Sequence, residues 1–248
     1  MKTTIVIPTY NEAENLPKLV SAIFSLPAPD LSLLIVDDNS HDGTGQIADQ
    51  ISRETGGRLR VMHRAGKLGL GTAYVQGFQN CLETGAEAIG QMDADFSHPP
   101  EKLLELMEAV QSCDMALGSR YVPGGSLDER WPFWRKALSG WGNFYARTIL
   151  GGVPVKDMTG GFRLWRRNTL EKMPLDRIRS NGYVFQVEMV YVAHRLGFQF
   201  KEVPIYFADR RFGQSKMNLR IQLEAALRVW QLPGMYRDLR PLGARKQA

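Results

Sequence analysis

Short apolar runs punctuate the first half of the chain at Thr4–Ile7, Leu33–Val36, Leu59–Met62, Ala88–Met92 and Met115–Leu117. Each is too short for a helix and reads as a buried strand. Between them, apolar positions recur at three- and four-residue intervals over Glu14–Ser25, Thr44–Glu54, Thr72–Leu82 and Glu101–Val110, the period of helices with one face in a core. Strands and helices in alternation predict right-handed βαβ crossovers and a largely parallel sheet. Ligands of such sheets collect at the carboxyl ends of the strands. The segments there are "PTYNE", "DDNSHDGT", "RAGKLGLG", "DADFSHPP" and "GSRYVPGG", all polar and turn-rich.

The second half is patterned differently. Trp131 to Gly152 predicts a helix dense in aromatics, with Arg135, Lys136 and Arg147 among them. "DMTGGFRLWRR" follows without an assigned element, then a helix over Tyr183–Leu196, a strand over Phe200–Phe207 and a basic loop, "RRFGQSK". A last helix repeats Leu219, Leu223, Leu227 and Trp230 on one face. The tail, "MYRDLRPLGARKQA", reads as disordered. The expected organisation is one α/β domain over 1–216, whose two halves meet near residue 120, with an amphipathic helix and basic tail over 217–248.

Length and charge narrow the possibilities. A chain of 248 residues, 44% hydrophobic, buries a substantial core. Its formal net charge is +5, but from Arg210 onward nine Lys/Arg face two acids, leaving 22 basic against 24 acidic residues before it. A basic end on a near-neutral body suggests an anionic partner, and no nucleic-acid reading motif accompanies it. Cys81 and Cys113 have no metal spacing and read as buried free thiols. The N-terminus runs straight into a strand and no stretch of eighteen apolar residues occurs, so the expected location is cytoplasmic, at most peripheral on a membrane.

The strongest chemical signal is Asp93 and Asp95, one residue apart after a buried strand. Such a pair can hold a divalent cation through oxygen ligands, and the cation can bridge a diphosphate; the plainer reading is a solvated turn with Asp95 capping the next helix. Asp37 and Asp38 can accept hydrogen bonds from a ribose or base, while Ser40 or Asp42 caps a helix. Tyr10 can stack on a base or pack on the body. "GLGTAY" imitates a dinucleotide fingerprint, but Tyr74 stands where its third glycine belongs; its helix start still offers N–H groups to an anion.

In order and approximate spacing, "PTYNE", "VDDNSHDGT", "GKLGLGTAY" and "DADFSHPP" resemble a family 2 glycosyltransferase of the GT-A fold. "GSRY", "DMTGGFRLWRR", "GYVFQVEM" and "RRFGQSK" resemble, within it, the polyprenyl-phosphate mannosyltransferases of the dolichol-phosphate mannose synthase group, in a short form without transmembrane helices. The resemblance covers about Thr3 to Lys216. It implies an α/β, GT-A, Rossmann-like sheet flanked by helices. It implies nucleotide contacts at Pro8, Tyr10, Glu12, Val36 and Asp38, with Asp93, Ala94 and Asp95 beside the diphosphate. Asp95 would ligate Mg²⁺ or Mn²⁺, with Asp93 near it and Ser97 where relatives often carry a glutamine ligand. Arg120, Arg210 and Lys216 would contact phosphates.

The activity so implied is inverting transfer of mannose from GDP-mannose to a polyprenyl or dolichyl monophosphate at a membrane surface, with a separate membrane-spanning subunit as a possible partner. The alternatives are a UDP-sugar-dependent transferase and a silent nucleotide-sugar-binding subunit. A lipid monophosphate is largely dianionic at pH 7 and needs positive charge more than a base. Arg120, Arg163, Arg210 and Lys216 can supply it, with Arg135 outside them; Arg163 can equally brace the loop beneath. Ser139 is a candidate contact to the acceptor phosphate. The aromatics from Trp131 to Tyr145 read either as a core stripe or as an interfacial helix at lipid headgroups. His98 is expected to orient its loop rather than ligate the metal.

Overall fold

A computed structural model describes residues 1–209 and 219–242, with the side chains of 219–224 left out. The apolar runs of the first half become β1 (Thr3–Thr9), β2 (Leu31–Asp37), β3 (Leu59–His63), β4 (Ala88–Gln91) and β5 (Met115–Ser119). The helical periods become α1 (Leu16–Phe24), α2 (Thr44–Glu54), α3 (Leu70–Glu83) and α4 (Lys102–Ala109). The second half adds β6 (Ser126–Leu127), α5 (Phe133–Ile149), β7 (Arg163–Arg166), α6 (Arg167–Lys172), α7 (Gly182–Arg195), β8 (Phe200–Pro204), β9 (Tyr206–Phe207) and α8 (Leu219–Met235).

The seven-stranded sheet has the order β3-β2-β1-β4-β7-β5-β8. All its pairings are parallel except those of β7, which runs antiparallel between β4 and β5. From its pattern "RLWR" predicts no element, because a strand of two arginines, a leucine and a tryptophan shows no apolar run. Its first arginine is nevertheless buried, which main-chain acceptors make possible. The expected strand Phe200–Phe207 divides in two, β8 in the main sheet and β9 pairing with β6.

One apolar cluster packs α3, α7 and α8 on one sheet face; a second packs α1, α2 and α4 on the other. Tyr236 and Leu232 lie fully inside the first. The start of the tail is therefore packed, contrary to the expectation of disorder: Tyr236 donates to Glu188 at 2.7 Å and Arg177 pairs with Asp238. The face that α8 buries carries Val229 and Leu232, while Leu227 and Trp230 of the predicted apolar stripe point to solvent. Cys81 and Cys113 are free and buried, as expected. Among the described residues, no helix is long and apolar enough to cross a membrane.

Candidate active site

The loops leaving β1, β2 and β4 meet at the carboxyl edge, and each contains one non-glycine residue of positive φ: Asn11 at 60°, Asn39 at 58° and Phe96 at 62°. Asparagine tolerates that region; for a bulky residue it costs about 1–3 kcal/mol. Phe96 is held there by its neighbours. Ser97 donates to Asp95 Oδ1 through its hydroxyl at 2.6 Å and its main-chain N–H at 3.0 Å. Asp95 is thus oriented by Ser97 and does not cap α4, whose N-cap position is Glu101.

Asp93 is fixed from two sides. Its main-chain N–H donates to His98 Nδ1 at 3.1 Å, and its Oδ1 accepts from the Tyr74 hydroxyl at 3.3 Å. Because Nδ1 accepts, the neutral His98 ring carries its proton on Nε2, 4.0 Å from Asp93 Oδ2. Burial holds the His98 pKa below its ordinary value, and the ring stacks on Phe162. Burial, then the Asp93 charge, pushes Tyr74 well up, so it stays a donor. Ala94 is buried between the two acids.

Asp93 and Asp95 supply hard oxygen donors, and among the described residues no group of three or more His, Cys, Asp or Glu forms a fuller cage. A partial carboxylate set fits a hard divalent cation such as Mg²⁺ or Mn²⁺, which takes oxygen donors. Ser97, expected as a further ligand, commits its hydroxyl proton to Asp95.

Where β2 and β3 end, Asp38 is paired with Arg64 and accepts from the Gly69 N–H at 3.3 Å. The N–H at the start of α3, read as an anion site, thus serves a carboxylate of the chain itself. Asp37 accepts from Thr9 and Ser40. Asp42 binds Thr44 and the Ala13 N–H; burial works against its charge, but those bonds hold its carboxyl below the usual range. Pro8, Tyr10 and Glu12 are half-buried along the β1 exit, whereas the Val36 side chain is wholly in the core. The Lys67 ammonium lies 3.8 Å from the centroid of the Tyr10 ring.

On the other side, Arg120 is clamped by Asp157, with Nε and Nη2 donating at 2.7 and 2.6 Å, and by Thr159. Burial disfavours the Arg120 charge, but Asp157 outweighs it and raises the pKa. Asn143 ties the same loop to α5, accepting from the Met158 and Thr159 N–H groups. Ser139, one turn before it, accepts from the Tyr121 hydroxyl at 2.7 Å. Arg135 stacks on Trp131 and reaches Asp209 at 3.3 Å. Arg163 is buried beneath this region, its two Nη groups donating to the Gln186 and Met158 carbonyls. That is the bracing geometry rather than a phosphate contact. Arg210 and Lys216 lie outside the described residues.

The outer face of α5 is apolar and bare. Phe133, Trp134, Trp141 and Phe144 are each more than half exposed, and the 17-residue helix buries only Asn143 and Ala146. Tyr145 joins it to α8 by donating to the Ala226 carbonyl at 3.1 Å, and Leu227 and Trp230 of α8 are exposed as well.

The profile of glycosyl transferase family 2 matches residues 4–173. The chain belongs to this family. Among its relatives, the polyprenol monophosphomannose synthase of Mycolicibacterium smegmatis is 44% identical over 94% of this chain and 88% of its own length. The undecaprenyl-phosphate mannosyltransferase of Micrococcus luteus is 44% identical over 97% of this chain and 98% of its own. Mannosyl-3-phosphoglycerate synthase from Rubrobacter xylanophilus superposes with a TM-score of 0.67 at 17% identity, covering all of this chain and 77% of that one. Glucosyl-3-phosphoglycerate synthase from Mycobacterium tuberculosis, solved with Mn²⁺ and UDP, gives 0.64 at 17% identity, covering 94% and 79%. These similarities establish the GT-A fold.

Reading the sequence of this family 2 glycosyltransferase did not single out Arg64, Asp157 or Asn143. Arg64 and Asp157 open the quoted segments "RAGKLGLG" and "DMTGGFRLWRR", but each acts by positioning a distant neighbour, and Asp157 is 37 residues from the arginine it holds.

Proposed function

We propose that the protein transfers mannose from GDP-mannose to a polyprenyl or dolichyl monophosphate, with inversion, at the surface of a membrane. The observation that carries this reading is the two-sidedness of α5. One side brings Ser139 to Tyr121, next to Arg120, and Asn143 to the loop that holds Arg120; the other bares Trp134, Trp141 and Phe144. An acceptor with a phosphate head and a lipid tail accounts for both, since exposed aromatics among Lys and Arg suit the headgroup layer. The names of the two 44% identical relatives support the same acceptor class and sugar.

In this reading Asp95, oriented by Ser97, and Asp93, oriented by His98 and Tyr74, hold Mg²⁺ or Mn²⁺. The ion, when bound, neutralises charge on the departing diphosphate. The acceptor phosphate is already a competent nucleophile, so the chain's task is to bring two anions together. Arg120 contributes a guanidinium whose orientation Asp157 fixes, and Ser139 and Arg135 line the acceptor approach, with Arg210 and Lys216 as further phosphate contacts. Asp38 and Tyr10 face the nucleoside, and a single in-line displacement inverts the sugar carbon.

The test is transfer of labelled sugar by purified protein to a short polyprenyl phosphate, with GDP-mannose and UDP-glucose in parallel. Label entering the organic phase from GDP-mannose alone is the expected result. Transfer from UDP-glucose alone overturns the donor. Failure of both, with nucleotide binding intact, favours a silent subunit or one dependent on a membrane-spanning partner.

A further inference from the structure

A chain of three buried side chains leads from the sheet to Gly161, beside Asp93. The Trp165 indole N–H donates to Gln91 Oε1 at 2.9 Å, and Gln91 Nε2 donates to Gln186 Oε1 at 3.3 Å. Trp165 and Gln91 are fully buried and Gln186 is 3% exposed. The direction of this chain has only one solution. An indole is a donor and never an acceptor, so Gln91 must turn its oxygen to Trp165 and its NH₂ to Gln186. Gln186 must then meet Gln91 with its oxygen, which turns its own NH₂ away from the core. Arg163 fixes the main chain at the same point by donating to the Gln186 carbonyl at 2.7 Å.

That NH₂ reaches Gly161, in the loop facing Asp93. A methyl group on Gly161 would lie 3.3 Å from Gln186 Nε2, 3.5 Å from His98 Cε1 and 3.7 Å from Asp93 Oδ1. The Gln186 amide donor and the Asp93 carboxylate therefore both lie beside Gly161, where any side chain would press on the amide. Among the described residues, no hydrogen-bond acceptor is paired with Gln186 Nε2. A hydroxyl is a small group that can meet both, accepting from the amide and donating to the carboxylate.

Resting on the nucleotide-sugar reading above, we propose that Gln186 is a specificity-determining residue. Its Nε2–H donates to a hydroxyl of the transferred sugar, with Trp165 and Gln91 as the positioning residues that fix its orientation. A site that hydrogen-bonds a substrate hydroxyl discriminates strongly against donors lacking it.

Gln186→Glu tests this, because it keeps an oxygen for Gln91 and removes the donor. GDP and GDP-mannose binding are measured by calorimetry, with kcat/KM for transfer alongside. The expected result is GDP binding within about twofold of wild type and kcat/KM for GDP-mannose reduced at least about tenfold, as for loss of a contact made to the sugar. Transfer within twofold of wild type overturns the proposal, as does a parallel loss of GDP binding and transfer. Should that variant not fold, Gly161→Ala crowds the amide instead, with a methyl group 3.3 Å from Gln186 Nε2 and the same expected split. Wild-type protein that binds GDP but neither binds nor uses GDP-mannose removes the donor reading, and the proposal with it.

Discussion

Arg120 and Asp157 form a bidentate pair in which both side chains are buried, at 7% and 0% exposure, and the Arg120 main-chain N–H also reaches Asp157, at 3.0 Å. Burial would raise the Asp157 carboxyl, but the Arg120 charge and hydrogen bonds hold it below its ordinary value. Removing the acid leaves an unpaired buried guanidinium, so Asp157→Ala is expected to cost about 3–5 kcal/mol, read by urea unfolding at pH 7. The depressed carboxyl sets the sign of the pH dependence. Its stabilisation is complete above the unfolded value of about 3.9 and is lost as pH falls through the folded value. Asp157→Asn should therefore lose less stability than wild type between neutral pH and acid.

Asp95→Ala should reduce transfer by about a hundredfold or more, the scale of losing a fixed electrostatic contribution at a reacting centre. Circular dichroism should show an unchanged fold, and a chelator should produce the same loss in the wild type. Near-normal turnover by the variant would refute the metal assignment. Ser97→Ala should give a smaller loss, with a higher metal concentration needed for half-maximal rate, because it frees Asp95 without removing it.

Replacing Trp141 and Trp230 together by Glu should abolish sedimentation with anionic vesicles and leave the melting temperature within a few degrees. Both side chains are exposed, so little packing is lost. Transfer to a short, water-soluble acceptor should persist while transfer to a long-chain acceptor in vesicles falls. Vesicle binding equal to wild type would remove the case for this face.

Tyr236→Phe deletes a hydroxyl that donates to Glu188 and lies 3.0 Å from the Arg177 carbonyl, beneath α8. Glu188 also accepts from the Ser180 N–H at 2.8 Å, in the loop that abuts Gly71. The variant should lose about 1–3 kcal/mol in denaturant unfolding. A change below 0.3 kcal/mol, roughly the limit of such measurements, would mean that water replaces the hydroxyl.

What the sequence made legible were features with local signatures. The first five strands and four helices follow from periodicity within single segments, and Asp93 and Asp95 stand out because two charges leave a buried strand together. Of the partners that fix them, the local ones, Ser97 and His98, stand in the same segment, and His98 orients its loop as expected; the distant ones have no local signature. Tyr74 was read only as a missing glycine, yet its hydroxyl holds Asp93 from 19 residues away. Arg64 neutralises Asp38 across 26 residues. Such pairs depend on the fold bringing strand ends together, which one sequence does not encode in spacing. The exposed α5 aromatics fit a core stripe or an interfacial helix equally by pattern; only the packing left them bare.

The position of β7 has a further consequence. Residues 163–166 come from the later half of the chain, yet they hydrogen-bond to β4 on one side and β5 on the other. A fragment ending near residue 120 would retain the paired acids and lose the central rung between these strands. Residues 1–120 are therefore not a portable module. Two short strands from the later half, β7 and β8, complete the sheet that the first five begin, so the earlier and later stretches share one fold.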